Sequence, residues 1–206
     1  MKKSHRTFDA QKRLFDVVIS CIGLVMVSPV MVVIAILVRA RLGKPIIFVQ
    51  ERPGKKGRVF LLRKFRTMAN PDPARGLMDD EDRLSSFGEK LRSRSLDELP
   101  TLLNVLRGDM SIVGPRPLLV SYLDRYSTEQ ARRHEVRPGV TGLAQVSGRN
   151  KIAWDEKFRL DVKYVDERCW KLDVQIILRT FVSVFRRDGI SSEGHVTMPE
   201  FMGDSR

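Results

Sequence analysis

The 206-residue chain is poor in thiols and imidazoles, with two cysteines, Cys21 and Cys169, and three scattered histidines, His5, His134 and His195. So few cysteines exclude a disulfide scaffold and a four-thiolate zinc site, and the histidines form no His/Cys cluster for zinc. Neither GxxxxGK[ST] nor GxGxxG occurs, so a P-loop or a Rossmann site has no support. There is no internal repeat, and ten Pro with 14 Gly exclude collagen. Acidic residues are also scarce: 25 Asp and Glu face 37 Lys and Arg, leaving a net charge of +12. That excess calls for an anionic partner, whether nucleic acid, acidic lipid headgroups or a phosphorylated substrate. No recognition-helix or aromatic stacking motif supports nucleic acid, and none is expected as a partner. With 42% hydrophobic residues the chain can bury the core of one ordinary domain, which excludes a disordered tail.

What is present begins with Val17–Val38, 22 residues without a charge. As a straight helix this run would be roughly 33 Å long, enough to cross a hydrocarbon core. A signal peptide has a shorter apolar region and a small-residue cleavage site; Arg39, Arg41 and Lys44 follow instead. A core helix would have no wet face. Two features oppose a plain span. Lys2, Lys3, Arg6, Lys12 and Arg13 make the leading flank basic as well, so both flanks claim the cytoplasm. Ser28-Pro29 then sits mid-run, where Pro removes a helical hydrogen bond and bends the axis, while the Ser28 hydroxyl can satisfy a freed backbone group. The pattern suggests a helix–break–helix that enters one leaflet and returns; a Pro-kinked transmembrane helix is the alternative.

Beyond this anchor, residues 46–51 and 59–66 read as two short strands joined by a turn over Arg52–Gly57. A loop follows over 69–80, then a helix over 81–93 weakened by Gly88, and a helix over 97–107 stopped by Gly108. Gly114-Pro115-Arg116-Pro117 must be extended, residues 118–135 hold one or two helices, and 137–149 form a shaped loop. A broken helical region runs from about Trp154 to Arg187. Within it Val174, Ile177, Leu178, Phe181, Val182 and Phe185 share one face. That face suits either a membrane interface or a protein core.

The densest chemistry lies in Arg92-Ser93-Arg94-Ser95-Leu96-Asp97-Glu98-Leu99-Pro100. Ser95-x-x-Glu98 fits a capping box, but Pro100 fits better if Asp97 is the N-cap and Pro100 the third helical residue. The helix terminus would then favour the ionised carboxylates. An ionised Asp near cations could be a nucleophile or a metal ligand. Lys64 and Arg66 would share one face of a strand, otherwise a solvated edge. In Pro115-Arg116-Pro117 the backbone is restricted on both sides, which suits a guanidinium held ready for phosphate, or simply a rigid turn. Arg137-Pro138-Gly139 and Gly148-Arg149 repeat the pairing of Arg with a restricting residue.

In order along the chain stand Lys12-Arg13-Leu14-Phe15-Asp16, Ser28-Pro29, Gln50-Glu51-Arg52-Pro53-Gly54, Lys64-Phe65-Arg66-Thr67-Met68, the Arg92–Pro100 stretch, Leu102–Ser111, Val113–Pro117 and Arg137–Gly142. With these motifs the chain resembles, over nearly its whole length, the bacterial sugar transferase family of monotopic polyprenol-phosphate phosphoglycosyl transferases. The resemblance implies transfer of a sugar 1-phosphate from a UDP-sugar to undecaprenyl phosphate, with release of UMP and a requirement for Mg²⁺. It implies that Asp97 forms a covalent phosphosugar intermediate and that Glu98, with Asp97, binds the metal. It gives Arg116 and Lys64 a phosphate-binding role, with Arg137 and Asp161 as further substrate residues. It further implies a mostly helical α+β fold: a re-entrant membrane helix broken at Ser28-Pro29 over residues 1–45, a catalytic domain with a small β-hairpin and amphipathic interfacial helices over 46–190, and a tail over 191–206, integrated as one domain. The site would lie at the cytoplasmic face of a bacterial inner membrane, with both termini cytoplasmic, anionic lipid headgroups as partners and a homodimer left open. The chain looks like the minimal catalytic form. Its Ser192–Thr197 tail most resembles the enzymes that start bacterial N-linked glycosylation, which use UDP-di-N-acetylbacillosamine.

Overall fold

The apolar run lies inside helix α1, Arg6–Leu42, in a computed structural model that describes residues 5–76, 78–148, 152–186 and 200–203. Among the described residues α1 alone is long and apolar enough to cross a membrane, and only 11% of its most apolar window is buried. That exposure excludes a core helix. The buried residues Lys12, Asp16, Ser20, Ile34 and Val38 fall on one stripe, which faces the rest of the protein. Leu14, Val18, Ile22, Val25, Met26, Val30, Val33 and Ile36 stay exposed.

The expected interruption at Ser28-Pro29 takes a milder form: α1 remains helical through Pro29. Pro29 has no N–H for the carbonyl of Val25, four residues back. The Ser28 hydroxyl donates to that same carbonyl at 2.8 Å, so the lost donor is replaced.

The hairpin is present. Strands β1 (Ile47–Pro53) and β2 (Val59–Phe65) pair antiparallel, Ile47 opposite Phe65. The helix expected over 81–93 is two pieces, α2 (Asp80–Arg83) and α3 (Ser86–Ser93), the second capped by the Ser85 hydroxyl on the Gly88 N–H. Gly88 is a packing requirement rather than a weakness, because a Cβ there would lie 1.8 Å from the Thr67 carbonyl oxygen. Helix α4, Thr101–Arg107, ends as expected at Gly108, whose φ of 93° suits glycine.

Strand β3, Ser111–Val113, then pairs in parallel with β4, Gly139–Thr141, a sheet the sequence did not announce. Both strands are three residues long and lie beside turn residues, too short for a period-2 signal. The region 118–135 is made of 3₁₀ turns around a short helix α5, Thr128–Ala131. Helix α6 is Leu143–Ser147. The last helical region breaks at Arg168-Cys169 into α7, Trp154–Glu167, and α8, Trp170–Arg186.

Three clusters form the interior. Val113, Val136, Leu143, Tyr164 and Ile176 tie β3, α6, α7 and α8 together. Ile34, Val38, Phe65 and Leu91 join α1 to β2 and α3. Tyr122, Phe158 and Phe201 form an aromatic knot. In α8 the inward stripe is Asp173, Ile176 and Ile177, whereas Val174, Leu178, Phe181 and Val182 are exposed. The periodic face is therefore not a core face, Ile177 excepted. The Phe185 side chain, Arg149 and the Ser192–Thr197 tail lie outside the described residues.

Candidate active site

Asp97 and Glu98 do not open α4. They occupy the 3₁₀ turn Leu96–Glu98, and Pro100 takes the N-cap position of α4, so an expectation based on helix capping is corrected. The turn starts at Ser95, held at φ 54° and ψ 22°, a conformation costly for a side chain other than glycine. Leu96 and Leu99 pack against the Phe65–Leu91 cluster on either side of the acidic pair. The Thr101 hydroxyl donates to the Glu98 carbonyl at 2.5 Å. Apolar anchoring thus pays for a strained turn that presents two carboxylates.

Asp97 is buried, at 5% exposure. Burial first, and then Glu98, push its carboxyl above the usual range, while Lys64, Arg92 and Arg116 pull it back. Arg116 donates to Glu98 Oε1 at 2.7 Å, and that carboxylate holds the guanidinium above its ordinary value. Lys64 comes from β2, its ammonium 5.4 Å from the centre of the Phe48 ring. Burial lowers its pKa, opposed by Asp97 and Glu98. Four elements thus bring Lys64, Arg92, Asp97, Glu98 and Arg116 within electrostatic reach of one another.

Arg66 does not join the site, although its N–H continues the pairing of β2 onto the Ile46 carbonyl at 2.9 Å. It lies past the end of β2, buried, and donates to the Leu42 carbonyl at the end of α1 and to Asn70. Asp161 stands one layer behind the site. It is buried against Arg133, which donates to its Oδ2 from Nε at 3.0 Å and from Nη2 at 2.7 Å. Arg137 is bound elsewhere, its Nε donating to the Gly108 carbonyl at 2.9 Å.

Four cations near the site carried no isolated signal. Arg92 donates to the Thr67 hydroxyl at 2.9 Å. Arg133 fixes the backbone of Arg116, with Nη2 on its carbonyl at 2.7 Å. Arg52 donates to Gln50 at 2.6 Å and is pushed down to about 10 by burial and by Arg116. Lys157 is pushed down to about 8 by burial and by Arg116. Arg92 and Arg52 stood in the recognised motifs, but which arginines converge depends on the fold.

The described residues hold no group of three or more His, Cys, Asp or Glu able to grip a metal alone. A pair of adjacent carboxylates does fit Mg²⁺ that is also held by substrate phosphates, its usual arrangement. Chemically, a buried carboxylate ringed by Lys and Arg suits attack on an anionic phosphorus centre.

Similarity to known proteins agrees with this chemistry. An uncharacterized sugar transferase of Bacillus subtilis, EpsL, is 48% identical over 193 residues, covering 93% of this chain and 96% of its own. A UDP-glucose:undecaprenyl-phosphate glucose-1-phosphate transferase of Caulobacter vibrioides is 39% identical, covering 87% of this chain and 72% of its own. An undecaprenyl-phosphate galactose phosphotransferase of Salmonella typhimurium is 39% identical; this chain spans 41% of its length. Residues 7–187 match the bacterial sugar transferase family, and the chain belongs to that family.

Proposed function

We propose that the protein transfers a sugar 1-phosphate from a UDP-sugar to undecaprenyl phosphate, releasing UMP, with Asp97 as covalent nucleophile. The observation that carries this is the buried Asp97 beside Glu98, with Lys64, Arg92 and Arg116 converging on it. The relatives named for glucose and galactose transfer to undecaprenyl phosphate support the reaction class. In the first step an Asp97 oxygen bonds the sugar-proximal phosphorus, and the bond from that phosphorus to the bridging oxygen breaks, so UMP leaves. In the second a phosphate oxygen of the acceptor bonds the same phosphorus and Asp97 is released. Arg116 and Lys64 grip the phosphates, and Glu98 with Asp97 would hold Mg²⁺. The metal would offset charge developing on the diphosphate oxygens. The donor is a UDP-hexose or a UDP-N-acetylhexosamine such as UDP-di-N-acetylbacillosamine, to be decided by a donor screen that reads UMP release.

The second part of the proposal is topological: α1 enters the cytoplasmic leaflet of the inner membrane and returns. Lys12 and Val38, about 39 Å apart along a straight helix, both pack on the same folded body, through Asp173 at one end and the Phe65 cluster at the other. A straight crossing would carry one end away. The exposed apolar faces of α1 and α8 would both meet lipid, with anionic headgroups facing the basic surface. With Cys21 and Cys169 replaced by Ser, single cysteines at Thr7 and Ser127 should both be labelled only from the cytoplasm. Periplasmic labelling of Thr7→Cys refutes re-entry.

The covalent step has its own test. Enzyme, UDP-sugar and Mg²⁺ without acceptor should release at most one UMP per site and leave a sugar-phosphate adduct that maps to Asp97. Asp97→Asn should abolish adduct and turnover. No acceptor-free UMP from a preparation that turns over normally with both substrates refutes the covalent mechanism.

A further inference from the structure

A second basic site lies away from Asp97. A narrow, partly open cleft lies between the start of α1, the hairpin turn at Lys55 and strand β3. Its walls include Lys12, Lys55, Ser111, Arg137 and Arg168. Two of these cations are matched: Lys12 donates to Asp173 at 2.5 Å, and Arg168 to Asp9 at 2.9 Å. Asp16, also on the wall, accepts the Ile112 N–H at 3.0 Å. The other two are not matched. Among the described residues Lys55 has no ion pair, and Arg137 uses only Nε, on the Gly108 carbonyl. Ser111 is buried at 2% exposure, and among the described residues its hydroxyl has no hydrogen-bond partner.

A buried hydroxyl left without a partner is costly, and Lys55 meets the repulsion of Arg137 and Arg168 as well as the attraction of Asp9. Both are satisfied by one ligand with several acceptor oxygens and negative charge. We propose that this cleft binds a phosphate-type oxyanion, held by the Lys55 ammonium, the free edge of the Arg137 guanidinium and the Ser111 hydroxyl. Burial lowers the pKa of Lys55, Asp9 opposes that, and Arg137, Arg168 and Lys56 add to it; a bound anion would raise it again. The cleft also adjoins Asp16, just before the uncharged run starting at Val17. That is where a lipid headgroup phosphate would sit, and a free phosphate offers the same oxygens.

Binding of inorganic phosphate and of dihexanoyl phosphatidic acid is measured by calorimetry on the detergent-purified full chain, without UDP-sugar. Wild type and an Arg116→Gln background are compared, the latter weakening anion binding at the Asp97 site. Lys55→Ala, in a surface turn, should weaken binding by about tenfold in both backgrounds. Ser111→Ala should weaken it less. Binding of phosphatidic acid alone assigns the site to a lipid headgroup, and equal binding of both probes to any phosphate. No binding of either probe, loss of all binding with Arg116→Gln, or unchanged binding in Lys55→Ala overturns the proposal. None of these readouts depends on turnover, so the site stands or falls apart from the transfer reaction.

Discussion

Arg133 places two nitrogens on a single oxygen of Asp161, at 3.0 and 2.7 Å, and the nearer nitrogen also reaches the Arg116 carbonyl at 2.7 Å. Both residues are almost fully buried. The Arg133 guanidinium further lies over the Tyr126 and Phe158 rings, 5.6 and 5.7 Å from their centres. The pair therefore ties the aromatic knot to the backbone of the Pro115-Arg116-Pro117 segment. Asp161 therefore touches the Arg116 segment only through Arg133.

Breaking this pair should be worse than removing it. Asp161→Leu leaves a buried guanidinium without its counter-charge, at a cost of about 3–5 kcal/mol. Arg133→Met with Asp161→Leu replaces both charges with apolar groups and should recover most of that loss in a denaturant titration. It should not recover activity, because the Arg116 carbonyl still lacks its donor; a deficit of about 10–100-fold is expected. A double variant with full turnover would show that the pair only stabilises the fold.

Arg116→Lys keeps the charge and loses the planar fork. The Arg116 side chain is 49% exposed, so its removal leaves little cavity. The thermal midpoint should stay near that of the parent, while turnover falls by about 100-fold or more. Near-normal turnover would make Arg116 peripheral and move the phosphate grip to Lys64 and Arg92.

The acidic pair was legible as chemistry but not as conformation. Asp97-Glu98 stood out by residue type and neighbours, yet Ser95 at positive φ and Pro100 as N-cap follow from the packing of Leu96 and Leu99, which is tertiary. The hairpin and the α7–α8 region were visible because their periods run for several residues. The β3–β4 pair was not, being short and joined across the chain. Asp161 and Arg137 were picked out as site residues, but only the fold shows one behind Arg133 and the other bound to the Gly108 carbonyl. Arg133 itself has no local sequence signal.

Lys157 should titrate far below an ordinary lysine, near pH 8, because burial and Arg116 disfavour its charged form. Its folded pKa lies below the unfolded one, so the charged form opposes folding at neutral pH. That penalty disappears as pH rises from about 8 through the ordinary lysine range of about 10.4. Lys157→Met should therefore stabilise more at pH 7 than at pH 11. Acylation of the wild-type amine, followed by peptide mass spectrometry against pH, should show a midpoint near 8. A midpoint above 10 would mean that the ammonium is well solvated.

The Ser28–Pro29 step in α1 predicts a non-additive pair. With Pro29 present the Val25 carbonyl depends on the Ser28 hydroxyl, 2.8 Å away. Ser28→Ala alone leaves that carbonyl without a helical donor in an exposed apolar stretch, where lipid offers no replacement. A loss of about 0.5–1.5 kcal/mol in a detergent unfolding assay is expected. Pro29→Ala restores the backbone N–H to the same carbonyl, so Ser28→Ala in that background should be close to neutral. It should also straighten α1 and favour a full crossing, read by labelling Thr7→Cys from the periplasm. Equal losses from Ser28→Ala in both backgrounds would show that the hydroxyl does not replace the missing donor, and the coupling between the two residues would be absent.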